Sequence, residues 1–126
     1  MGTWGHGNLD NDSAWDELFD RSAELVKAIM ERAKSKTSRE FDEYDYTTLF
    51  VEFEILFALE SKGLFSGHTL PGANEVEALK TDFISDWVEY IGDQASDDHL
   101  KKRRQCIMRT FNRFQKLCVK YVTEDQ

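Results

Sequence analysis

Proline, cysteine and long apolar runs are scarce in this sequence, and each scarcity excludes a class of protein. One proline and seven glycines among 126 residues exclude collagen-like and low-complexity chains. No apolar run approaches the roughly 18 residues of a membrane-spanning helix, so we expect no membrane protein. The first residues lack the basic and apolar segments of a signal peptide, which favours a cytoplasmic location.

The two cysteines, Cys106 and Cys118, do not predict a disulfide, a metal site or a redox motif. They lie twelve positions apart, which separates them by about 18 Å along a helix. A disulfide needs Cα atoms within about 7 Å of each other. Neither belongs to a Cys-x-x-Cys pair, so we expect two reduced apolar side chains, as in a reducing compartment.

Apolar and charged residues are both abundant, and the charges are segregated along the chain. Hydrophobic residues make up 40% of the sequence and include nine phenylalanines, enough for a single folded domain over residues 1–126. The net charge is −8. Residues 99–126 hold eight Lys or Arg against two Asp or Glu, a net charge of +6, so the remaining 98 residues carry −14. Such asymmetry points to partners rather than to a fold.

Apolar residues recur at intervals of three and four, which predicts an all-α fold: an irregular bundle of four principal helices. A glycine-rich, polar lead segment over residues 1–11 precedes them. Asp12 or Ser13 is expected to cap the first helix, and Gly63 and Gly92 to end the second and third. The predicted helices span residues 12–34, 46–62, 74–91 and 97–122.

Two of these helices have unusual apolar patterns. The second is apolar over most of its circumference, which predicts a central position in the domain. The last has a heptad-like apolar seam in which Arg104 occupies one position. Either Arg104 is buried against a carboxylate such as Glu54, or it marks an exposed end of the seam, because an unpartnered buried charge is very costly.

The sequence contains no pattern of catalytic residues and predicts neither a cofactor nor a metal site. His6, His68 and His99 stand in unrelated segments, away from any cysteine at ligand spacing. The acidic run from Asp10 to Asp16 lacks the glycine and the final glutamate of a calcium-binding loop. We therefore expect no enzyme, with a metal-dependent enzyme built on that acidic run as an alternative.

The first sixteen residues resemble a family of small bacterial proteins known only as domain of unknown function forty-two fifty-nine. Those proteins begin with Trp-Gly, a second Gly, then Phe-Asp-Asn-Asp and a further Asp, and here Leu9 replaces the Phe. Weaker similarity extends to the helix that contains Trp87. The matching residues are Trp4, Gly5, Gly7, Asp10, Asn11, Asp12 and Asp16.

The resemblance implies a soluble bacterial protein but supplies no reaction and no catalytic residues. Similar proteins occur among immunity-like proteins of toxin systems. From the residues themselves, we expect the motif to be a structural clasp in which Trp4 packs against the domain and Asp10 to Asp12 tie the lead segment to the first helix. A binding site is the alternative.

The surplus of carboxylates favours a binding protein for a basic partner, specifically an immunity protein that neutralises a nuclease-like toxin. Carboxylates can imitate phosphates at a nucleic-acid-binding surface and accelerate association with a basic protein. The candidate contacts lie in two acidic connections of the chain: Glu40, Asp42, Glu43 and Asp45 in the first, and Asp93, Asp97 and Asp98 in the second.

The basic last helix has a stripe of cationic residues at helical spacing. The favoured interpretation is charge complementation within the protein, or in a homodimer formed through this helix. A regulator that binds nucleic acid through the stripe is the alternative, although the acidic remainder of the chain would repel a polyanion. The stripe consists of Lys102, Arg109, Arg113, Lys116 and Lys120.

Overall fold

The chain folds into four helices, which confirms the predicted all-α bundle with a short lead segment. The computed structural model describes residues 3–35, 43–67, 70–92 and 98–124, apart from the side chains of 43–46 and 122–124. Over these ranges it contains no strand, and no described helix is long and apolar enough to cross a membrane. The helices are α1 (Asp12–Lys34), α2 (Glu43–Ser61), α3 (Ala73–Ile91) and α4 (Asp98–Glu124).

The bundle consists of two antiparallel helix pairs, α1 with α2 and α3 with α4. Between the pairs, α2 and α4 run parallel, because Arg103 lies over the ring of Phe50 while Lys120, farther along α4, reaches Glu60. The helices therefore surround the core in the order α1, α2, α4, α3, and α2 has α1 on one side and α4 on the other.

Aromatic rings join the two helix pairs at the centre of the core. Phe53 of α2 is fully buried, and its ring centroid lies 5.2 Å from that of Phe111 and 5.3 Å from that of Phe114, both on α4. Both contacts are edge-to-face, a geometry that aromatic quadrupoles favour. Phe83 brings α3 into the same cluster, 5.3 Å from Phe111. The phenylalanines counted in the sequence thus form much of the contact between the pairs.

The helix ends follow the predicted chemistry at two glycines but not at the start of α1. Gly63 (φ 72°) and Gly92 (φ 52°) both have positive φ, and each follows the end of a helix as predicted. The prediction of Asp12 or Ser13 as the cap of α1 is wrong. Asn11 is the cap: its backbone is extended, and its Oδ1 accepts a hydrogen bond from the Ala14 amide at 2.7 Å. A bridge to Thr3 holds Asn11 in that extended conformation.

The apolar patterns of α2 and α4 were only partly predictive of burial. The inner face of α2 is buried as expected, but Val51 and Ile55 on its outer face are 50% and 49% exposed. On α4 the seam is buried from Ile107 to Cys118. Arg104 is exposed, so it is not buried against a carboxylate, and Leu100, the seam residue before it, packs partly buried against the core. Arg103, one position before Arg104, lies over the Phe50 ring and lines the same groove as Glu54.

Candidate functional site

The lead segment forms a tight turn closed by Asp10, which we call the N-terminal turn (residues 3–11). The Trp4 amide donates to the Asp10 carbonyl at 2.9 Å, and the Asp10 amide donates to the Gly7 carbonyl at 3.2 Å. The Asp10 carboxylate completes the turn by accepting from the Gly7 amide at 2.8 Å. One aspartate therefore holds the turn through its carbonyl, its amide and its side chain.

The glycines of the motif are required by the closeness of this carboxylate. A Cβ atom at Gly5 would lie 2.5 Å from Asp10 Oδ2, and a Cβ at Gly7 would lie 2.7 Å from the same atom. Both distances are shorter than any normal contact, so the carboxylate could not stay in place. The turn is attached to α1 by the Trp15 indole, which donates to the Leu9 carbonyl at 2.8 Å.

Trp4 departs from the expectation that its ring packs against the domain. The bonds of the turn fix its backbone, but 58% of the residue is exposed. The first turns of α1, which follow the turn in the chain, carry the exposed carboxylates of Asp12, Asp16 and Asp20, and that of Glu17, which pairs with Arg21 at 2.9 Å. We call Trp4 and the three aspartates the N-terminal surface. Sequence reasoning assigned Trp4 to the clasp because a lone tryptophan beside glycines does not reveal which side of the turn its ring occupies.

Three of the acidic residues predicted as partner contacts are in the described part of the chain, at the end of the bundle opposite to the N-terminal turn. Asp98 is exposed at the start of α4. Glu43 and Asp45 lie in the first turns of α2, with side chains outside the described part of the structure, while Glu40, Asp42, Asp93 and Asp97 lie wholly outside the described residues. Because α2 and α4 are parallel, Glu43, Asp45 and Asp98 share one end, whereas α1, antiparallel to α2, starts at the other.

The basic stripe of α4 is exposed, and part of it interacts with α2. The Arg113 guanidinium lies 4.4 Å from the centre of the Phe57 ring, with Nη2 3.4 Å from Ser61 Oγ. Lys120 Nζ lies 3.5 Å from Glu60 Oε2. Of these contacts, only that of Lys120 with Glu60 pairs opposite charges, the internal complementation expected from the sequence, whereas Arg113 contacts a ring and a hydroxyl. The other members, Lys102, Arg109 and Lys116, face solvent.

A shallow apolar groove of about 480 Å³ lies between α2 and α4. Val51, Ile55 and Ala58 form its α2 wall, and Arg103 on α4 closes its other side. Sequence reasoning missed this groove because an all-round apolar helix predicts complete burial. The signal that could have found it is the spacing of four and then three between the wall residues, which is that of a helix-packing seam.

The titratable groups in the described part of the chain give little indication of chemistry. No three His, Cys, Asp or Glu side chains among the described residues are grouped closely enough to hold a metal ion. Burial, followed by the nearby Glu75 carboxylate, raises the pKa of the Cys118 thiol to about 12. A thiol of that pKa stays protonated at neutral pH and is a poor nucleophile.

The cysteines should differ sharply in reactivity. With a thiol-specific disulfide reagent at pH 8, we expect Cys106, which is half-buried, to react in the folded protein and Cys118 to react only after unfolding. The readout is the number of thiols released with and without denaturant. In a Cys106→Ser control the folded protein should release none; rapid reaction of that variant would contradict the burial of Cys118.

Cys118 should also destabilise the fold at alkaline pH. In the unfolded chain the thiol ionises near its ordinary pKa of 9.0, whereas in the fold it stays neutral to about 12. The contribution of the neutral Cys118 thiol to the free energy of unfolding is therefore complete below pH 9. It is lost as the pH rises toward 12, and about 1 kcal/mol of it is lost by pH 10. Urea titrations at pH 8 and 10 should show a smaller loss for Cys118→Ala than for the natural chain.

Comparisons with protein-family models, with characterised proteins and with solved structures found no match to this chain.

Proposed function

We propose that this protein is a non-catalytic binding protein that neutralises a basic, nuclease-like toxin in the manner of an immunity protein. The observation that carries the proposal is the exposed Trp4, held on a hydrogen-bonded turn that leads directly into the exposed carboxylates of α1. The net charge of −14 outside the last 28 residues supports a cationic partner.

Tryptophan is, with tyrosine and arginine, among the residue types enriched at the positions that dominate binding energy in protein interfaces. An exposed indole normally loses conformational freedom on binding, but Trp4 is attached to a backbone already fixed by the Asp10 hydrogen bonds. The exposed Asp12, Asp16 and Asp20, on the first turns of α1, would attract a cationic surface and repel acidic ones. The ring thus supplies affinity, while the carboxylates supply association rate and choice of partner.

Nucleic acid is the weaker candidate partner. Arg113 and Lys120, two of the five cations in the stripe, already interact with Phe57 and Glu60 of α2. A phosphate backbone would have to compete with these contacts and with the negative charge of the rest of the chain. A gel-shift assay at low salt in which nucleic acid binds, and Arg109→Glu with Lys116→Glu removes the binding, would favour this alternative.

The test of the proposed function uses the product of the gene adjacent to that of this protein in its native genome. Co-expression should restore growth that this product inhibits, and the purified proteins should form a complex whose association slows as salt increases. Trp4→Ala should weaken the complex by about 100-fold, and Asp16→Lys with Asp20→Lys should slow association.

Tyr90 provides a matched control, since it is an aromatic residue of similar exposure, 62%, near the end of α3. Tyr90→Ala should leave affinity unchanged. Both variants should retain the helical circular dichroism of the natural chain. A complex that tolerates Trp4→Ala, or the absence of any complex and of growth rescue, would refute the proposal.

A further inference from the structure

Arg104 occupies a position of the α4 seam that an apolar residue would normally fill. Leu100 precedes it by four positions, and Ile107 and Phe111 follow at intervals of three and four. Ile107 and Phe111 are fully buried, whereas Arg104 is exposed. An arginine keeps its charged end in water, so it leaves room between the helices where a leucine would pack.

The space beside Arg104 is a cavity of about 440 Å³ between α3 and α4. The two helices are antiparallel, and the ring centroids of Phe83 and Phe111 lie 5.3 Å apart. The turns of α3 after Phe83 therefore face the turns of α4 before Phe111, and the cavity lies there, where α3 ends and α4 begins. Small-molecule sites have volumes of about 300–1,000 Å³ and occur between the helices of bundles.

The inner wall of the cavity is apolar. Trp87 of α3 is buried, with 4% of the residue exposed. Val88 and Ile91 on α3, and Leu100 and Met108 on α4, are partly buried and pack against the core. Such a wall favours a hydrocarbon chain or an aromatic ring, because contact with it removes apolar surface from water.

The charged lining of the cavity is cationic. Lys101 and Arg104, both exposed, line it on the α4 side, and the remaining polar lining residue is an amide. The neighbouring carboxylates of the described chain, Asp86, Glu89 and Asp98, are not among the lining residues. Since a guanidinium can bind a carboxylate through two parallel hydrogen bonds, this lining favours an anionic group beside the apolar wall.

We propose that this cavity binds a small organic acid, a molecule with an apolar chain or ring and one carboxylate. The apolar part lies against Trp87 and Ile91, and the carboxylate pairs with Arg104 and Lys101. Because both cations are exposed, the carboxylate keeps part of its hydration and loses little solvation free energy on binding. The site is at the end of the bundle opposite to the N-terminal surface, so it does not rest on the proposed function.

Titration of the whole chain with octanoate provides the first test, followed by the indole N–H signals of the three tryptophans in NMR spectra. The Trp87 signal should shift and saturate, while those of Trp4 and Trp15 should stay in place. 1-Octanol has the same chain without the charge, and it should bind at least about tenfold more weakly. No saturable shift of the Trp87 signal, or equal affinity for the two probes, would overturn the proposal.

Neutralising the arginine provides the second test. Arg104→Gln should weaken octanoate binding by about tenfold and leave 1-octanol binding unchanged. Arg109 is the matched control, since it is exposed on the same helix and does not line the cavity. Arg109→Gln should bind octanoate as the natural chain does. Octanoate binding that is equally strong in Arg104→Gln would contradict the assignment of the carboxylate to Arg104.

Restoring the apolar seam provides the third test, since it separates binding from stability. Arg104→Leu should raise the melting temperature by about 4 °C, because leucine fills the space between the helices, and octanoate binding should be lost. Arg109→Leu, at an exposed position outside the cavity, should leave the melting temperature and binding unchanged. A lower melting temperature for Arg104→Leu would show that Arg104 stabilises the fold, and a variant that still prefers octanoate would overturn the proposal.

Discussion

Replacing Phe53 with alanine is expected to lower the free energy of unfolding by about 4 kcal/mol. The ring is fully buried and contacts aromatic rings on its own helix and on α4, namely those of Phe50, Phe57, Phe111 and Phe114. Its removal eliminates apolar burial, opens a cavity between the two helix pairs and ends several aromatic contacts, each of which is worth about 1 kcal/mol. A domain of this size has only some 5–15 kcal/mol in total.

Urea unfolding followed by circular dichroism measures this loss. Phe53→Leu, which keeps most of the volume, should cost less than half as much. Tyr90→Ala, at an exposed aromatic position, should stay within about 0.5 kcal/mol of the natural chain. If Phe53→Ala cost no more than Tyr90→Ala, Phe53 could not be the centre of the core.

The second large effect is expected at Gly92, where alanine should cost about 2 kcal/mol. Its backbone angles, φ 52° and ψ −120°, lie outside the regions that residues with a Cβ atom populate. Gly92 ends α3, and its amide donates to the Val88 carbonyl. A side chain at this position would therefore strain the backbone although no atom lies within 4 Å of the added Cβ.

Gly72 is the matched control for this backbone effect. It too has open space where a Cβ would be placed, but its φ of −73° is ordinary for any residue. Because Gly72 is the N-cap of α3, where alanine is less favourable than glycine, Gly72→Ala should cost about 1 kcal/mol, still less than Gly92→Ala. Thermal melts of both variants would separate backbone strain from any effect of the added methyl group itself. Equal melting temperatures would show that the backbone conformation of Gly92 causes no extra loss of stability on substitution.

The fold could be predicted from the sequence because local rules govern most of it. The spacing of apolar residues predicted the four helices, and α2 and α3 end next to the two predicted glycines, Gly63 and Gly92. The errors arose where tertiary position outweighs local pattern. Asn11, rather than Asp12, caps α1 because the bridge to Thr3 extends it. Likewise, Val51 and Ile55 are apolar yet half exposed because no described helix covers that side of α2.

The candidate site could be predicted only in part. The motif residues were identified from the sequence, and Asp10 closes a turn against the two glycines, but the exposure of Trp4 was not foreseen. Burial of one ring depends on which side of a nine-residue turn faces the domain, and composition carries no information about that side. Arg103 and Arg104 show the same limit: they are neighbours on α4, yet only Arg103 covers an aromatic ring of α2.

The pairing of α1 with α2 and of α3 with α4 has a consequence for how the chain folds. Each pair joins helices adjacent in sequence, so most contacts close short loops at small entropic cost, and such chains fold rapidly. What remains is the docking of the two pairs, which rests on Phe53 against Phe111 and Phe114. The transition state for folding should therefore contain formed hairpins, with the aromatic contacts between them completed last.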